Sequence, residues 1–133
     1  MQSWEVSHTN EFLTQMERYR GILVCTTNRL SDLDDASIRR FNHKIAFGYL
    51  KPEGNITFYQ KLLLPIASAP FDDDVTKSLS MIRLLTPGDF RPVRDRFCFY
   101  PREKVNHGLL LEALHEEARI KHKHMSGGKI VGF

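Results

Sequence analysis

The stretch Gly21–Ile45, GILVCTTNRLSDLDDASIRRFNHKI, decides which fold the sequence predicts. It opens with the apolar run Ile22–Cys25, which has a glycine before it and polar residues after it. A short apolar run with turn formers at its ends favours a strand buried on both faces of a parallel sheet. A helical turn over Asp35–Arg39 and a second strand over Lys44–Phe47 follow. We therefore predict an α/β fold for this part of the chain.

Helical periodicity dominates on both sides of this stretch. Ser3–Tyr19 carries apolar residues at three- and four-residue spacing, as an amphipathic helix does. Past Pro52 the predicted helices cover Glu53–Ile66, Asp74–Leu84, Phe90–Phe97 and Glu103–His122. The sequence thus predicts an α/β part over residues 1–50, a helical part over 51–125 and a flexible tail over 126–133.

A strand that ends in TTN, the segment RLSDLDDASIRRF and a second strand together resemble the second half of an AAA+ ATPase domain. The resemblance is densest over residues 3–50 and continues more loosely to Arg96. AAA+ ATPases carry a helical lid after the core, so the order of parts agrees as well. The resemblance implies a partial P-loop NTPase (AAA+) core followed by an all-helical lid of about four helices.

The resemblance gives roles to polar residues of the opening stretch. Asn28 matches sensor 1, whose amide binds the γ-phosphate and orients the attacking water. Arg40 matches the arginine finger that reaches the nucleotide of a neighbouring subunit, with Arg39 as the second choice. The family's second basic position falls here on His43, and both arginines stay candidates.

The segment Thr86–Pro92, TPGDFRP, resembles sensor 2 of clamp-loader-like AAA+ proteins. By that match Arg91 contacts the nucleotide phosphates, and Gly88 and Asp89 begin the helix that carries it. Glycine lets a helix start close to a ligand, and a guanidinium pairs with phosphate oxygens. Arg94, one turn on, is the alternate. The alternative is a helix N-terminus capped by Asp89, with Arg91 in solvent.

The sequence has no GxxxxGK[ST] phosphate-binding loop and no Walker B strand ending in Asp-Glu. The resemblance therefore implies the C-terminal portion of an AAA+ ATPase, either a truncated gene product or one piece of a split protein. The complete enzyme would bind ATP and Mg²⁺, with the magnesium ligands outside this chain, and the chain alone is expected to be inactive. The alternative is a non-enzymatic interaction module that docks on a complete AAA+ subunit and donates Arg40 in trans.

Composition bears on location and partners. The chain has 133 residues, a net charge of +3 and 41% hydrophobic residues, as a globular domain does. It contains no secretion leader and no apolar run near the ~18 residues of a membrane span, so we predict a soluble, cytoplasmic protein. Its cysteines and histidines lack the spacing of a metal site.

The expected partners are other AAA+ subunits in a ring oligomer and a protein substrate. Nucleic-acid binding through the basic segment Arg119–Lys129 is a weaker alternative, because no aromatic residues are interleaved with the charges.

Overall fold

The computed structural model describes residues 3–126, and their regular structure is helical. The helices are α1 (Ser3–Arg18), α2 (Asp35–Arg39), α3 (Pro52–Leu62), α4 (Asp73–Met81), α5 (Pro87–Phe97) and α6 (His107–Ser126). Short 3₁₀ turns cover Leu30–Asp32, Leu64–Ile66 and Arg102–Lys104. Contacts divide the chain into a first unit, Met1–Ala46, and a second unit, Phe47–Phe133.

The predicted α/β fold, with its partial P-loop core, is wrong, because the described residues contain no strand. The two runs predicted as strands, Ile22–Cys25 and Lys44–Phe47, are irregular. A strand needs a neighbour that pairs with its backbone and covers its side chains. Here Ile22, Val24 and Phe47 are 90%, 79% and 93% exposed. The described residues do not provide the covering neighbour that these apolar runs require.

Helix predictions in the first unit are confirmed. The helix predicted over Ser3–Tyr19 is α1, in which Leu13 is buried and Phe12 is 46% exposed. The predicted turn over Asp35–Arg39 is α2. Helices satisfy their own backbone groups, so they can form where a sheet cannot.

The four helices predicted for the second unit are confirmed, but with different ends. α3 ends at Leu62 and α4 at Met81, before the predicted Ile66 and Leu84, and α6 begins at His107 rather than at Glu103.

Local signals set where the helices begin. Pro52 occupies the first turn of α3, where its missing N–H is not needed. The Asp72 carboxylate accepts a hydrogen bond from the Val75 backbone N–H at 2.9 Å and so caps α4. The tail predicted over residues 126–133 lies outside the described residues except for Ser126, the last residue of α6.

The four α-helices of the second unit enclose one apolar core. α3 contacts α4 and α5, and α6 contacts α4 and α5. Its fully buried apolar side chains are Tyr59, Leu63, Leu79, Leu85, Phe90, Val93, Val105, Leu110 and Leu114. Because these residues come from all four helices and from the segments between them, the second unit holds its own core.

The first residue of α6, His107, is hydrogen-bonded to α3. The Nε2 atom of His107 lies 3.0 Å from the Ala69 and Pro70 carbonyl oxygens, which can only accept, so Nε2 carries the proton. The other ring nitrogen, Nδ1, accepts from the Tyr59 hydroxyl at 2.6 Å. Burial, helped by the charge of Asp72, raises the pKa of Tyr59 above its ordinary value. Tyr59 therefore stays a hydroxyl donor throughout the neutral range.

Asn55 is a fully buried polar residue of α3 whose side chain caps the C-terminal end of α4. Its Nδ2 atom donates to the carbonyl oxygens of Leu79, at 2.9 Å, and Ile82, at 3.0 Å. The last carbonyls of a helix have no partner within the helix, and a buried one that stays unpaired is costly. Asn55 thus ties α3 to the end of α4.

We expect Asn55→Asp to lower the free energy of unfolding by about 3 kcal/mol or more at pH 7, measured by urea denaturation. The substitution removes both N–H donors and places a carboxylate against two carbonyl oxygens. Asn106→Asp is the matched control, because the exposed Asn106 side chain accepts from the Leu109 N–H and an aspartate can do the same. Equal effects at the two positions would contradict this account of Asn55.

Candidate functional site

Asn28, the predicted sensor 1 residue, lies in an exposed bend just before the 3₁₀ turn Leu30–Asp32. The bend is held locally, since Thr27 Oγ1 accepts from the Arg29 backbone N–H at 3.0 Å. Arg29 also pairs with Asp32 at 2.6 Å in an exposed position. The amide of Asn28 is thus at the surface of the first unit, on a short loop rather than at the end of a strand.

Arg40, the predicted arginine finger, caps the C-terminal end of α2. Its guanidinium contacts the Glu17 carboxylate of α1, and its side chain is 35% exposed. Arg39, the second choice, is exposed in the last turn of α2. Asp34 caps the other end of α2 by accepting from the Ser37 N–H at 3.0 Å. Hydrogen bonding from the Ser37 side chain, and then from its backbone N–H, lowers the pKa of Asp34. The carboxylate that pairs with Arg40 is therefore Glu17 and not a neighbour in α2.

The first unit contains a cavity of about 360 Å³ beside Arg40. Its lining includes Met16, Tyr19, Ile22, Arg40, Phe41 and His43. A β-carbon at Gly21, on its rim, would lie 2.7 Å from the Tyr19 ring, so a larger residue there would require the exposed Tyr19 side chain to shift. The structure brings Arg40 and His43 to this cavity, whereas Asn28 is not among its lining residues.

The predicted sensor 2 segment forms the first turn of α5, in the second unit. Asp89 is 6% exposed, and its carboxylate accepts from the Thr86 backbone N–H at 2.7 Å and from the Thr86 hydroxyl at 3.0 Å. The same carboxylate contacts the Lys121 ammonium of α6. Asp89 therefore serves the helix start itself, in the manner of a capping box.

Arg91 has the opposite character to Asp89. Its side chain is 78% exposed, and its Nε atom is 3.7 Å from the carboxylate of Asp95. Arg94, the alternate, lies 3.2 Å from the same carboxylate. Exposed pairs of this kind contribute ~0–1 kcal/mol, so an external anion can replace Asp95 as the partner of Arg91 at small cost. A β-carbon at Gly88 would come no closer than 3.8 Å to another side chain, so packing does not require glycine there.

Lys121 is a site residue that sequence reasoning missed, since it was grouped with the basic residues at the end of the last helix. Its ammonium lies 3.3 Å from the Leu84 carbonyl and 3.2 Å from the Thr86 hydroxyl, and it contacts Asp89. One signal was present in the sequence. Lys121 follows the buried Leu114 by seven residues, which places both on the same helix face.

Within residues 3–126, no group of three histidine, cysteine or acidic side chains is placed to hold a metal ion.

The predicted site residues are divided between the two units. Arg40 and Asn28 belong to the first unit, and Arg91, Gly88 and Asp89 belong to the second. Over the same described range, no helix combines the length and apolar character needed to cross a bilayer.

Comparisons of this chain with protein-family models, with curated proteins and with solved structures find no match. The AAA+ resemblance therefore stays a prediction that depends on the residues from which it was drawn.

Leu84, whose carbonyl contacts Lys121, has a φ of 66°, in the left-handed region. A β-carbon costs about 1 kcal/mol there, whereas glycine adopts this conformation freely. We expect Leu84→Gly to be more stable than Leu84→Ala by about 1 kcal/mol in urea denaturation, since both remove the same side-chain packing. At the exposed Lys77, in the middle of α4, alanine is expected to be the more stable replacement. The same order at both positions would argue against strain at Leu84.

Proposed function

We propose that this chain is the C-terminal portion of an AAA+ ATPase and that it contributes to ATP binding and hydrolysis together with other polypeptide. That polypeptide would supply the phosphate-binding loop and the magnesium ligands, neither of which the sequence contains. The observation that carries the proposal is the uncovered apolar surface on both sides of the Asn28–Arg40 stretch.

The apolar residues that flank this stretch are exposed to a degree unusual for a folded domain. Ile22 is 90% exposed, Val24 79% and Ile45 77%. Exposed apolar clusters on a protein surface mark places where other polypeptide binds. The first unit therefore supports a function in which Asn28 and Arg40 act within a larger assembly.

The second supporting feature is the pair of accessible guanidiniums. Arg91 has a weak, exposed partner, and Arg40 is held by a single carboxylate, that of Glu17, at a partly exposed position. Phosphoryl transfer depends mainly on positioning and on stabilising charge at the phosphate oxygens. In the proposed enzyme Asn28 orients the attacking water, Arg40 stabilises charge on the transferring phosphoryl group of a neighbouring subunit, and Arg91 binds the phosphates.

We expect the purified chain to show no magnesium-dependent ATP hydrolysis, because positioned arginines and an amide cannot replace the missing phosphate-binding loop. The measurement is phosphate release from ATP in the presence of Mg²⁺, with Arg40→Ala and Arg119→Ala chains assayed in parallel. A clear rate that Arg40→Ala abolishes and Arg119→Ala leaves unchanged would overturn the proposal that the catalytic centre needs other polypeptide.

We expect the chain to bind ATP weakly through α5, in the millimolar range, in titrations of the ¹⁵N-labelled chain followed by NMR. Backbone amide signals of Gly88–Arg91 should shift, because the N–H groups at a helix start and a guanidinium both attract phosphate. Arg91→Ala should weaken binding, whereas Arg119→Ala removes an equal charge elsewhere on the second unit and should not. Equal losses in the two variants would indicate nonspecific charge attraction and would contradict the role of Arg91.

The non-enzymatic alternative also needs a partner, but the partner would then be a complete AAA+ subunit with its own phosphate-binding loop. In that case Arg40→Ala would lower the ATPase rate of the added AAA+ subunit without weakening the binding of ATP to that subunit. This outcome would replace the proposed function by that of a docking module.

A further inference from the structure

One lysine holds together the segment from which Arg91 projects. The Lys121 ammonium of α6 contacts the Asp89 carboxylate, the Thr86 hydroxyl at 3.2 Å and the Leu84 carbonyl at 3.3 Å. It also lies 5.9 Å from the centre of the Tyr49 ring, within range of a cation–π interaction. An ammonium has three N–H donors, and three acceptors surround this one, two from the α4–α5 connection and one from the first turn of α5.

The first turn of α5 is weak by its own composition. Its sequence, PGDFRP, begins with Pro87, which suits the first position of a helix, but Gly88 and Pro92 inside the helix are unfavourable. Pro92 has no backbone N–H to donate to the Gly88 carbonyl four residues before it. Glycine has the largest backbone entropy to lose in a helix. The position of this turn therefore depends on side-chain contacts more than is usual for a helix start.

We propose that Lys121 is a positioning residue for Arg91. By fixing Asp89, Thr86 and Leu84, Lys121 sets where the first turn of α5 lies, and hence where the Arg91 guanidinium meets the nucleotide phosphates. The inference rests on the proposed function, since it is there that Arg91 binds phosphate.

Electrostatics gives Lys121 a second effect on the same site. Asp89 carries a negative charge two residues before Arg91, which opposes anion binding at this end of the helix. The Lys121 ammonium offsets that charge through direct contact, so the exposed Arg91 leaves the helix start net positive. Loss of the ammonium would therefore both loosen the turn and weaken its attraction for phosphate.

The test is a double-mutant cycle in the full-length chain, with the dissociation constant for ATP measured by NMR titration. Lys121→Met keeps most of the side-chain length and removes the charge and the donors. We expect it to raise the dissociation constant at least about fivefold when Arg91 is present and by a clearly smaller factor in the Arg91→Ala background, where only the loss of charge compensation at Asp89 remains. Lys123→Met, at an exposed position two residues on, is the matched control and should change little.

The outcomes separate this inference from the function on which it rests. If Arg91→Ala weakens ATP binding but Lys121→Met does not, or if Lys121→Met acts equally in both backgrounds, the positioning role is wrong and the proposed function stands. If Arg91→Ala leaves ATP binding unchanged, or the unsubstituted chain does not bind ATP, both fail. Should Lys121→Met not fold, Lys121→Arg takes its place, since it keeps the charge but cannot present three donors from one atom. A smaller loss that again requires Arg91 is then the supporting result, and its absence overturns the positioning role.

Discussion

The contact between Lys121 and Asp89 is the interaction on which the geometry of the second unit most depends. Asp89 is 6% exposed and the Lys121 side chain 27%, so both charges are largely withdrawn from water. Such a pair is tolerated when hydrogen bonds occupy its remaining donors and acceptors, as Thr86 and Leu84 do here. Removing one partner leaves the other charge largely buried and unpaired. The pair therefore constrains how α6 packs against the start of α5.

Among the described residues of the first unit, no comparable constraint is present. Its helices α1 and α2 are joined by the contact of Arg40 with Glu17, which is a partly exposed pair. Its apolar residues, such as Ile22 and Ile45, are turned to solvent instead of forming a core. Apolar burial is the main favourable term in folding, so a unit that leaves these residues exposed gains little from it. The two units therefore differ: the second holds its own core, whereas the first leaves most of its described apolar residues exposed.

This difference explains how far the sequence could predict the structure. The helices of the second unit are encoded locally, by the Asp72 cap, by Pro52 and by apolar spacing, and a helix pairs its own backbone groups. A strand must pair with another strand, which comes from a distant part of the sequence. The apolar run Ile22–Cys25 therefore carries no information about its partner, and the described residues provide none. Lys121 was overlooked for a related reason. In the sequence it counts only as one charge of the basic segment Arg119–Lys129, although its spacing from Leu114 places it on the inward face of α6.

The candidate site follows the same division. Arg91 projects from a turn that the core and an ion pair hold in place, so a ligand that reaches it meets a guanidinium whose position is already set. Arg40 is the partner of Glu17 in a unit whose described apolar residues are largely exposed. Under the proposed function, Arg40 would exchange that carboxylate for its ligand when other polypeptide covers the unit. A side chain on a backbone segment that is already held in place can bind a ligand weakly by itself. A side chain whose binding site forms only on assembly acts only in the assembly. Under the proposed function, this ordering would give phosphate contact to the second unit and catalytic dependence on partners to the first.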